Sequence, residues 1–144
     1  MKRTDLAYVA GIIDGEGAIL INQKGGLDRN GKPRRGVACN LVIGNTNEWL
    51  IRWLSFSFGG GVYSSHRNHL KWKTQYFWRP NGRLTLDILK VVLPYLRIKK
   101  PQAELAIQFL ERRYSNNMSH KGEKLLAIEE ADRLVMAAYN KRGK

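Results

Sequence analysis

Residues 7–17 read AYVAGIIDGEG, the most informative segment of the chain. Its apolar residues predict a helix from Leu6 to about Ile13, with Thr4 or Asp5 placed to cap the N-terminus through a side-chain oxygen. The glycines that follow are expected to end the helix. A strand with apolar residues at its start comes directly afterwards, so the sequence predicts an N-terminal helix that leads straight into a sheet.

One face of this helix carries only small residues. Ala7, Gly11 and Gly15 recur every four positions, and a glycine inside a helix costs about 1 kcal/mol relative to alanine. Close approach of a second helix would offset that cost. Because no other segment has a matching small face, we expect the partner to be the same helix of a second copy, with Ala7, Ala10 and Gly11 at the interface.

Two acids lie at the end of the same helix. The helix macrodipole disfavours anions there, so Asp14 and Glu16 are placed against local preference. Such a placement indicates a positively charged ligand, and a hard divalent cation with oxygen ligands fits best. The alternative is that both acids are solvated turn residues after a glycine cap.

Composition narrows the class of partner. The chain has 144 residues, the size of a single domain spanning 1–144, and 43% of them are hydrophobic. It carries 25 Lys and Arg against 12 Asp and Glu, a net charge of +13, which indicates a polyanion such as nucleic acid. An acidic membrane surface is the other option, although no apolar stretch is long enough to span a bilayer, and we expect no membrane partner.

The N-terminus and the cysteine count bear on location and redox chemistry. The first residues lack the features of a signal or transit peptide, so we expect an intracellular protein of a prokaryotic or archaeal cytoplasm or of an organelle. The single cysteine, Cys39, excludes an internal disulfide framework and a zinc site built on clustered cysteines.

Periodicity along the chain predicts the element order α-β-β-α-β-β-α-α-α, an α+β fold with an antiparallel sheet. The N-terminal helix is expected to cover about 5–16, the sheet about 18–79 and the C-terminal helices about 84–140. The strands are expected at 18–24, 36–44, 62–67 and 71–79. The later helices are expected from 45–47 onward and at 84–93, 101–114 and 123–139.

Residues 9–17, VAGIIDGEG, resemble the LAGLIDADG motif of the homing endonucleases. Residues 93–103, LPYLRIKKPQA, are similar to the segment that carries the active-site lysine of this family. The αββαββα order agrees as well, and the resemblance is weakest after about residue 116. It implies a curved antiparallel sheet that forms a DNA-binding saddle, extra helices at the C-terminus, and a homodimer, since members with a single motif pair with a second copy.

The resemblance also implies roles for individual residues. Glu16 matches the catalytic acid that binds metal, where aspartate is commoner, and a backbone oxygen near Gly15 would complete its ligands. Mg²⁺ is the expected ion, with Mn²⁺ or Ca²⁺ able to replace it in binding. Lys99 matches the active-site lysine, the alternative being a solvated side chain. Asn45 matches a polar residue that orients water, or else caps the following helix, and Asp14 is expected at the interface and in helix capping.

The sheet is expected to read DNA, because antiparallel ribbons fit the major groove and polar side chains recognise base edges there. A solvated polar face is the alternative for any single residue. The strand candidates share one face by alternation, and the loop candidates are the basic residues between the first two strands. The candidates are Leu20, Asn22, Lys24, Arg29, Lys32, Arg34, Arg35, Ala38, Asn40, Ser64, His66, Lys71, Lys73 and Gln75.

The function implied is a site-specific homing endonuclease. As a homodimer it would hydrolyse both strands of a long, partly palindromic double-stranded DNA target with a divalent metal, and so promote intron mobility. Two alternatives stay open, an RNA maturase whose partner is intron RNA and a DNA-binding protein that does not cleave. A further hypothesis, that aromatic side chains stack on single-stranded nucleic acid, rests on Trp72, Tyr76, Phe77 and Trp78.

Overall fold

Helices and strands follow one another in the predicted order, and the α+β class is confirmed. A computed structural model describes residues 1–66, 73–115 and 122–141. One short element that the sequence did not predict, a 3-10 turn at Leu93–Tyr95, joins the third and fourth helices. The elements are α1 (Arg3–Glu16), β1 (Gly17–Gln23), β2 (Val37–Asn45), α2 (Glu48–Phe58), β3 (Gly61–Ser65), β4 (Gln75–Arg79), α3 (Gly82–Val92), α4 (Lys100–Ser115) and α5 (Glu123–Asn140).

The four strands form one antiparallel sheet in the order β1-β2-β4-β3. Alternate residues of β1 and β2 are buried beneath the helices, as the period-2 pattern predicted. Trp78 of β4 pairs with Ile43 of β2, and both are fully buried. The helix-covered side is therefore the core face, and the opposite side is called the outer face below.

The helix α1 begins before either predicted start and ends at Glu16, which agrees with the range 5–16 and lies three residues beyond Ile13. Lys2 occupies the N-cap position, so the assignment of the cap to Thr4 or Asp5 was wrong. At the other end the helix continues past the first expected stop and Gly17 is the C-cap. Glycine is needed at that position because a Cβ would lie 2.8 Å from Cα of Ile13.

Buried polar contacts attach the C-terminal helices to the sheet. Arg113 of α4 donates to Glu129 of α5 at 3.2 Å and to the carbonyl oxygen of Val37 at 2.6 Å. The side chain of Asn140 donates to the carbonyl oxygen of Ile19 at 2.9 Å. The bonds to Val37 and Ile19 end on main-chain oxygens of β2 and β1, so α4 and α5 belong to the same core as α1 and the sheet. Among the described helices, none has the length and apolarity to cross a bilayer.

Candidate active site and nucleic-acid interface

Glu16 is the last residue of α1, and its exposed carboxylate accepts a hydrogen bond from Nδ2 of Asn45 at 2.7 Å. The sheet creates this contact, because β1 follows Glu16 directly and pairs with β2, which ends at Asn45. The other side-chain atom, Oδ1 of Asn45, accepts from the backbone N–H of Asn47 at 2.7 Å. Asn47 itself caps α2, so Asn45 is not the helix cap. Its amide instead fixes the orientation of the Glu16 carboxylate.

Lys99 reaches the same end of α1. Its half-buried ammonium donates to the carbonyl oxygen of Ile13 at 3.0 Å and to that of Gly17. A cation is favourable at this position because the carbonyl oxygens at a helix C-terminus carry partial negative charge. The structure thus brings Glu16, Asn45 and Lys99, residues distant in sequence, to one end of one helix. Lys99 is not the solvated side chain of the alternative interpretation.

Asp14 holds the segment that carries this lysine. Its carboxylate accepts backbone hydrogen bonds from Arg97 at 2.9 Å, Ile98 at 3.2 Å and Lys99 at 2.9 Å. Helix α4 begins at the next residue, so the carboxylate satisfies amides at the entrance to that helix. Asp14 therefore joins α1 to α4, in agreement with the capping role expected for it.

The oxygen donors near Glu16 fit a hard divalent cation. Glu16 supplies a carboxylate, and Gly15 lies in the last turn of α1, where the helix has no amide to offer the carbonyl oxygens. Within the described residues, no group of three or more His, Cys, Asp or Glu side chains is placed to hold a metal ion. Among the described residues, one chain thus offers one carboxylate and main-chain oxygens at this position.

The small face of α1 lines an open groove. Ala7, Gly11 and Asp14 form one wall of it and Pro94 and Arg97 part of the other, around a volume of about 520 Å³. A Cβ added at Gly11 would meet nothing within 4 Å among the described residues. This face is thus accessible to another helix.

Ala10 does not belong to that groove. Its side chain is fully buried in the core of its own chain, beside Val9 and Ile13. Its assignment to the interface was wrong, because a side chain fully covered by its own chain has no surface left to offer a partner helix.

The predicted face of the first two strands is confirmed as the outer face. Leu20, Asn22, Ala38 and Asn40 alternate with buried neighbours and are half-buried or exposed. On β4 the outer face includes Gln75, which alternates with the half-buried Tyr76. Whether these residues bind DNA stays a prediction.

On β3 the predicted face was wrong. Val62 pairs with the buried Trp78, and Ser64, two residues on, pairs with Tyr76 on the same core face. His66 follows β3 and contacts Oγ1 of Thr74 through Nδ1 at 3.1 Å, so it continues that face. The apolar Val62 carried the signal, since alternation from it places Ser64 and His66 inward. The outer face here presents Tyr63 and Ser65 instead, together with Gly44, Phe77 and Arg79 of the neighbouring strands.

The basic loop between β1 and β2 lies at one end of the outer face. Arg29, Lys32, Arg34 and Arg35 are exposed, and Lys24 at the loop entrance is half-buried. Arg35 forms an exposed ion pair with Glu123 at 2.9 Å. Lys73 is exposed just before β4, whereas Lys71 lies outside the described residues.

The four-residue stacking hypothesis was wrong in part. Trp78 is fully buried and donates from Nε1 to the carbonyl oxygen of Gly59 at 2.8 Å, so it offers no platform. Tyr76 lies on the core face with Trp78, and Trp72 falls outside the described residues. Of the three described residues of this set, only Phe77 lies on the outer face.

Comparison with known proteins identifies the fold. No protein-family profile matches the sequence, and no curated protein matches it. Among solved structures, the homing endonuclease I-CvuI, in complex with its target in the presence of Ca, is 20% identical with a TM-score of 0.73. That match covers 98% of this chain and 85% of I-CvuI. The archaeal intron-encoded homing endonuclease I-Vdi141I, complexed with DNA, is 15% identical with a TM-score of 0.73 over 98% of this chain and 87% of its own.

A third similar structure is of a longer chain. The LAGLIDADG homing endonuclease I-GzeII, in complex with its DNA target, is 18% identical with a TM-score of 0.66. The match covers 92% of this chain but 43% of I-GzeII. Along nearly its whole length, this chain has the α+β fold of the LAGLIDADG homing endonucleases.

Proposed function

We propose that the chain is a site-specific homing endonuclease that cleaves both strands of double-stranded DNA. The observation that carries the proposal is the meeting of Glu16, Asn45 and Lys99 at the end of α1. The cluster lies where α1 meets β1 and β2 ends, in a chain with a net charge of +13. A protein that only binds DNA has no need of a carboxylate directed toward phosphate, so the cluster favours cleavage over binding alone.

The working unit of this proposal is a homodimer. The accessible groove along Ala7 and Gly11 accepts a second α1, and glycine allows two helix backbones to approach closely. The length of I-GzeII supports the same arrangement, because this chain matches less than half of it. Two copies would place two Glu16 carboxylates near one another, one for each DNA strand.

A divalent metal, Mg²⁺ in our proposal, would be held by Glu16 and by the carbonyl oxygen of Gly15, with DNA phosphate and water completing its ligands. When bound, such an ion activates water and stabilises charge on the leaving oxygen. Asn45 keeps the Glu16 carboxylate in one orientation through its 2.7 Å hydrogen bond. Lys99 neutralises the carbonyl oxygens of the last turn, which lowers the repulsion that phosphate would meet there.

The outer face and the basic loop would supply the DNA-binding surface. Exposed arginines and lysines of the loop would contact phosphates, and the strand residues would face base edges in the major groove. Binding should weaken steeply with salt, because each neutralised phosphate releases counterions. The target would be long and partly palindromic, and cutting it would promote mobility of the intron that encodes the protein.

The test is selection of cleaved duplexes from a randomised DNA library with Mg²⁺, repeated in EDTA. We expect one family of cleaved sequences with Mg²⁺ and none in EDTA. Glu16→Gln should abolish cutting, whereas the control Glu48→Gln, which removes an exposed acid paired with Arg52 on α2, should retain it. Tight binding to intron RNA without any cleaved duplex would indicate a maturase. Bound but uncut duplexes would indicate a non-cleaving DNA-binding protein.

The dimer is tested separately by sedimentation. Gly11→Leu places a bulky side chain in the groove and should leave a folded monomer, because a side chain at this position meets nothing in its own chain. The control Glu104→Leu adds the same side chain to an exposed position of α4 and should leave the association unchanged. A wild-type protein that binds its duplex as a monomer would contradict the proposal.

A further inference from the structure

Two aromatic side chains form a stacked pair on the outer face. Tyr63 of β3 and Phe77 of β4 are direct cross-strand partners, with ring centroids 5.0 Å apart and planes inclined by 16°. Tyr63 is 46% exposed and Phe77 is half-buried. Exposed aromatic carbon on the polar side of a sheet is unfavourable in water, so a ligand that covers it would gain hydrophobic free energy.

The sheet is built to accommodate this pair. Phe77 pairs with Gly44 of β2, and a Cβ at Gly44 would lie 2.7 Å from Cε1 of the phenylalanine ring. The ring therefore lies flat across the strand at the one position where no side chain obstructs it. Gly44, Phe77 and Tyr63 form a row across three strands, which spans about 10 Å at the usual strand spacing.

This row begins beside the candidate active site. Asn45, whose amide holds Glu16, follows Gly44 directly in β2. The row would therefore face base pairs close to the cleaved bond, and 10 Å corresponds to about three base-pair steps. The next row on the same face is Ser65 paired with Gln75, whose side-chain amide suits the N6 and N7 atoms of adenine.

The chemistry of the major groove identifies what an apolar pair can recognise. Thymine displays a 5-methyl group there, and apolar side chains recognise it by contact. None of the other three bases carries a methyl group on that edge. A base cannot insert between the rings, because at 5.0 Å they already stack on each other. The pair thus presents an apolar surface to the groove.

We propose that Tyr63 and Phe77 select thymine near the cleavage position by contact with its 5-methyl group, with Gly44 positioning the phenylalanine ring. The proposal rests on the proposed function, since it needs the outer face to lie in the major groove. It adds an exposed aromatic determinant of sequence preference beside the polar residues of the outer face and the basic residues of its loop.

The experiment compares thymine with deoxyuridine, which pairs identically and lacks only the methyl group. Each thymine of the selected duplex is replaced in turn, and the Kd is measured by fluorescence anisotropy with Ca²⁺ in place of Mg²⁺. We expect about a fourfold loss of affinity at one or two positions per half-site, the magnitude of one buried methyl group. Phe77→Ala should lower affinity for thymine duplexes and remove the difference between thymine and deoxyuridine at those positions.

Two further variants guard against a simple folding defect. Tyr63→Ala alters an exposed residue of an edge strand and should reduce the same discrimination. Gly44→Ala keeps both rings but displaces Phe77, and should shift the preference in the same way. As a matched control, Asn40→Ala on the outer face of β2 should weaken binding to both duplexes alike.

The outcomes separate the two proposals. If no duplex is cleaved or bound in the library selection, the proposed function fails and this inference fails with it. If duplexes are cleaved but deoxyuridine has no effect anywhere, or its effect persists in both Phe77→Ala and Tyr63→Ala, the thymine contact is refuted while the nuclease stands.

Discussion

Replacing Asp14 by alanine should destabilise the folded chain strongly. Asp14 thus has a structural role, whereas we propose a catalytic role for Glu16, the other acid of the same motif. Its carboxylate accepts the backbone N–H groups of Arg97, Ile98 and Lys99, at 2.9, 3.2 and 2.9 Å. These amides precede α4, whose first turn has no acidic residue of its own. Asp14 therefore provides from α1 the cap that α4 lacks locally.

The magnitude follows from the three bonds. A hydrogen bond to a charged group contributes about 1.5–3 kcal/mol, and losing a helix cap costs about 0.5–2 kcal/mol. Because Asp14 is half-exposed and water would replace part of what is lost, we expect Asp14→Ala to cost about 2–4 kcal/mol. In Asp14→Asn the remaining side-chain oxygen can still accept from the amides of Ile98 and Lys99, but the NH₂ group would face the backbone N–H of Arg97, donor against donor. We expect it to cost about 1–2 kcal/mol.

The assay is urea unfolding at one fixed protein concentration, with the free energy of unfolding extrapolated to zero denaturant. Hydrogen exchange adds a local measurement, since the amides of residues 97–99 should exchange faster in Asp14→Ala. The control is Glu104→Ala, an exposed acid further along α4, which should change the free energy by less than about 0.5 kcal/mol. An Asp14→Ala protein within that same margin, with unchanged exchange at 97–99, would refute the capping argument.

Three further outcomes follow from buried groups. Burial raises the pKa of the Cys39 thiol from 9.0 to about 12, so above pH 9 the thiol ionises in the unfolded chain before it does so in the folded one. The free energy of unfolding, measured with urea, should then fall by about 1.4 kcal/mol per pH unit in the wild type but not in Cys39→Val. An equal loss of stability with pH in both proteins would contradict this. Arg113→Met removes the ion pair between Arg113 and the buried Glu129 and should lower the free energy of unfolding by about 3 kcal/mol or more. In a double-mutant cycle with Glu129→Gln, losses that simply add up in the double variant would argue against coupling between the two side chains. Lys99→Met removes the hydrogen bonds to the carbonyl oxygens of Ile13 in α1 and of its C-cap Gly17, and should cost about 1–3 kcal/mol. Amide exchange in the last turn of α1 should become faster, and unchanged exchange there would argue against the contact.

Much of the fold could be predicted because burial imposes simple periods on the sequence. Val37, Cys39, Leu41 and Ile43 alternate along β2, and each lies in the core. The same period correctly placed Asn40 on the outer face. In α2 the helix start was expected within 45–47, and Asn47 proves to be the cap.

The errors occur where a local pattern is short or ambiguous. The strand β3 has five residues, and Val62 is the one apolar residue on its core face. Its face is decided by the pairing of Val62 with Trp78, a contact that depends on the turn through Gly59 and Gly60, both at positive φ. Within the strand the only signal was the alternation from Val62, and one apolar residue is too short a pattern to fix a face, so Ser64 and His66 were assigned to the wrong side.

The contact between Asn45 and Glu16 could be expected only as proximity. The sequence placed both at ends of elements, but which of two asparagines caps α2 depends on backbone geometry. The structure assigns the cap to Asn47 and leaves Asn45 for the carboxylate. Asn45 and Asn47 are thus two residues apart and chemically identical, yet one contacts the Glu16 carboxylate and the other caps α2.

The packing of a single chain explains why one glycine of the motif is needed, but not why the other two are. Gly17 is required by its own chain, since a Cβ there would collide with Ile13. Gly11 and Gly15 have open space around them in the described part of the chain, yet each weakens α1 by about 1 kcal/mol relative to alanine. Ala10 packs inward at the same helix level, so small size there serves the core. In the proposed homodimer a second α1 would offset the cost at Gly11 and Gly15, and the groove beside Gly11 gives that helix its place. Because Glu16 follows Gly15 directly, whatever binds that face of α1 also comes to lie beside the candidate catalytic carboxylate.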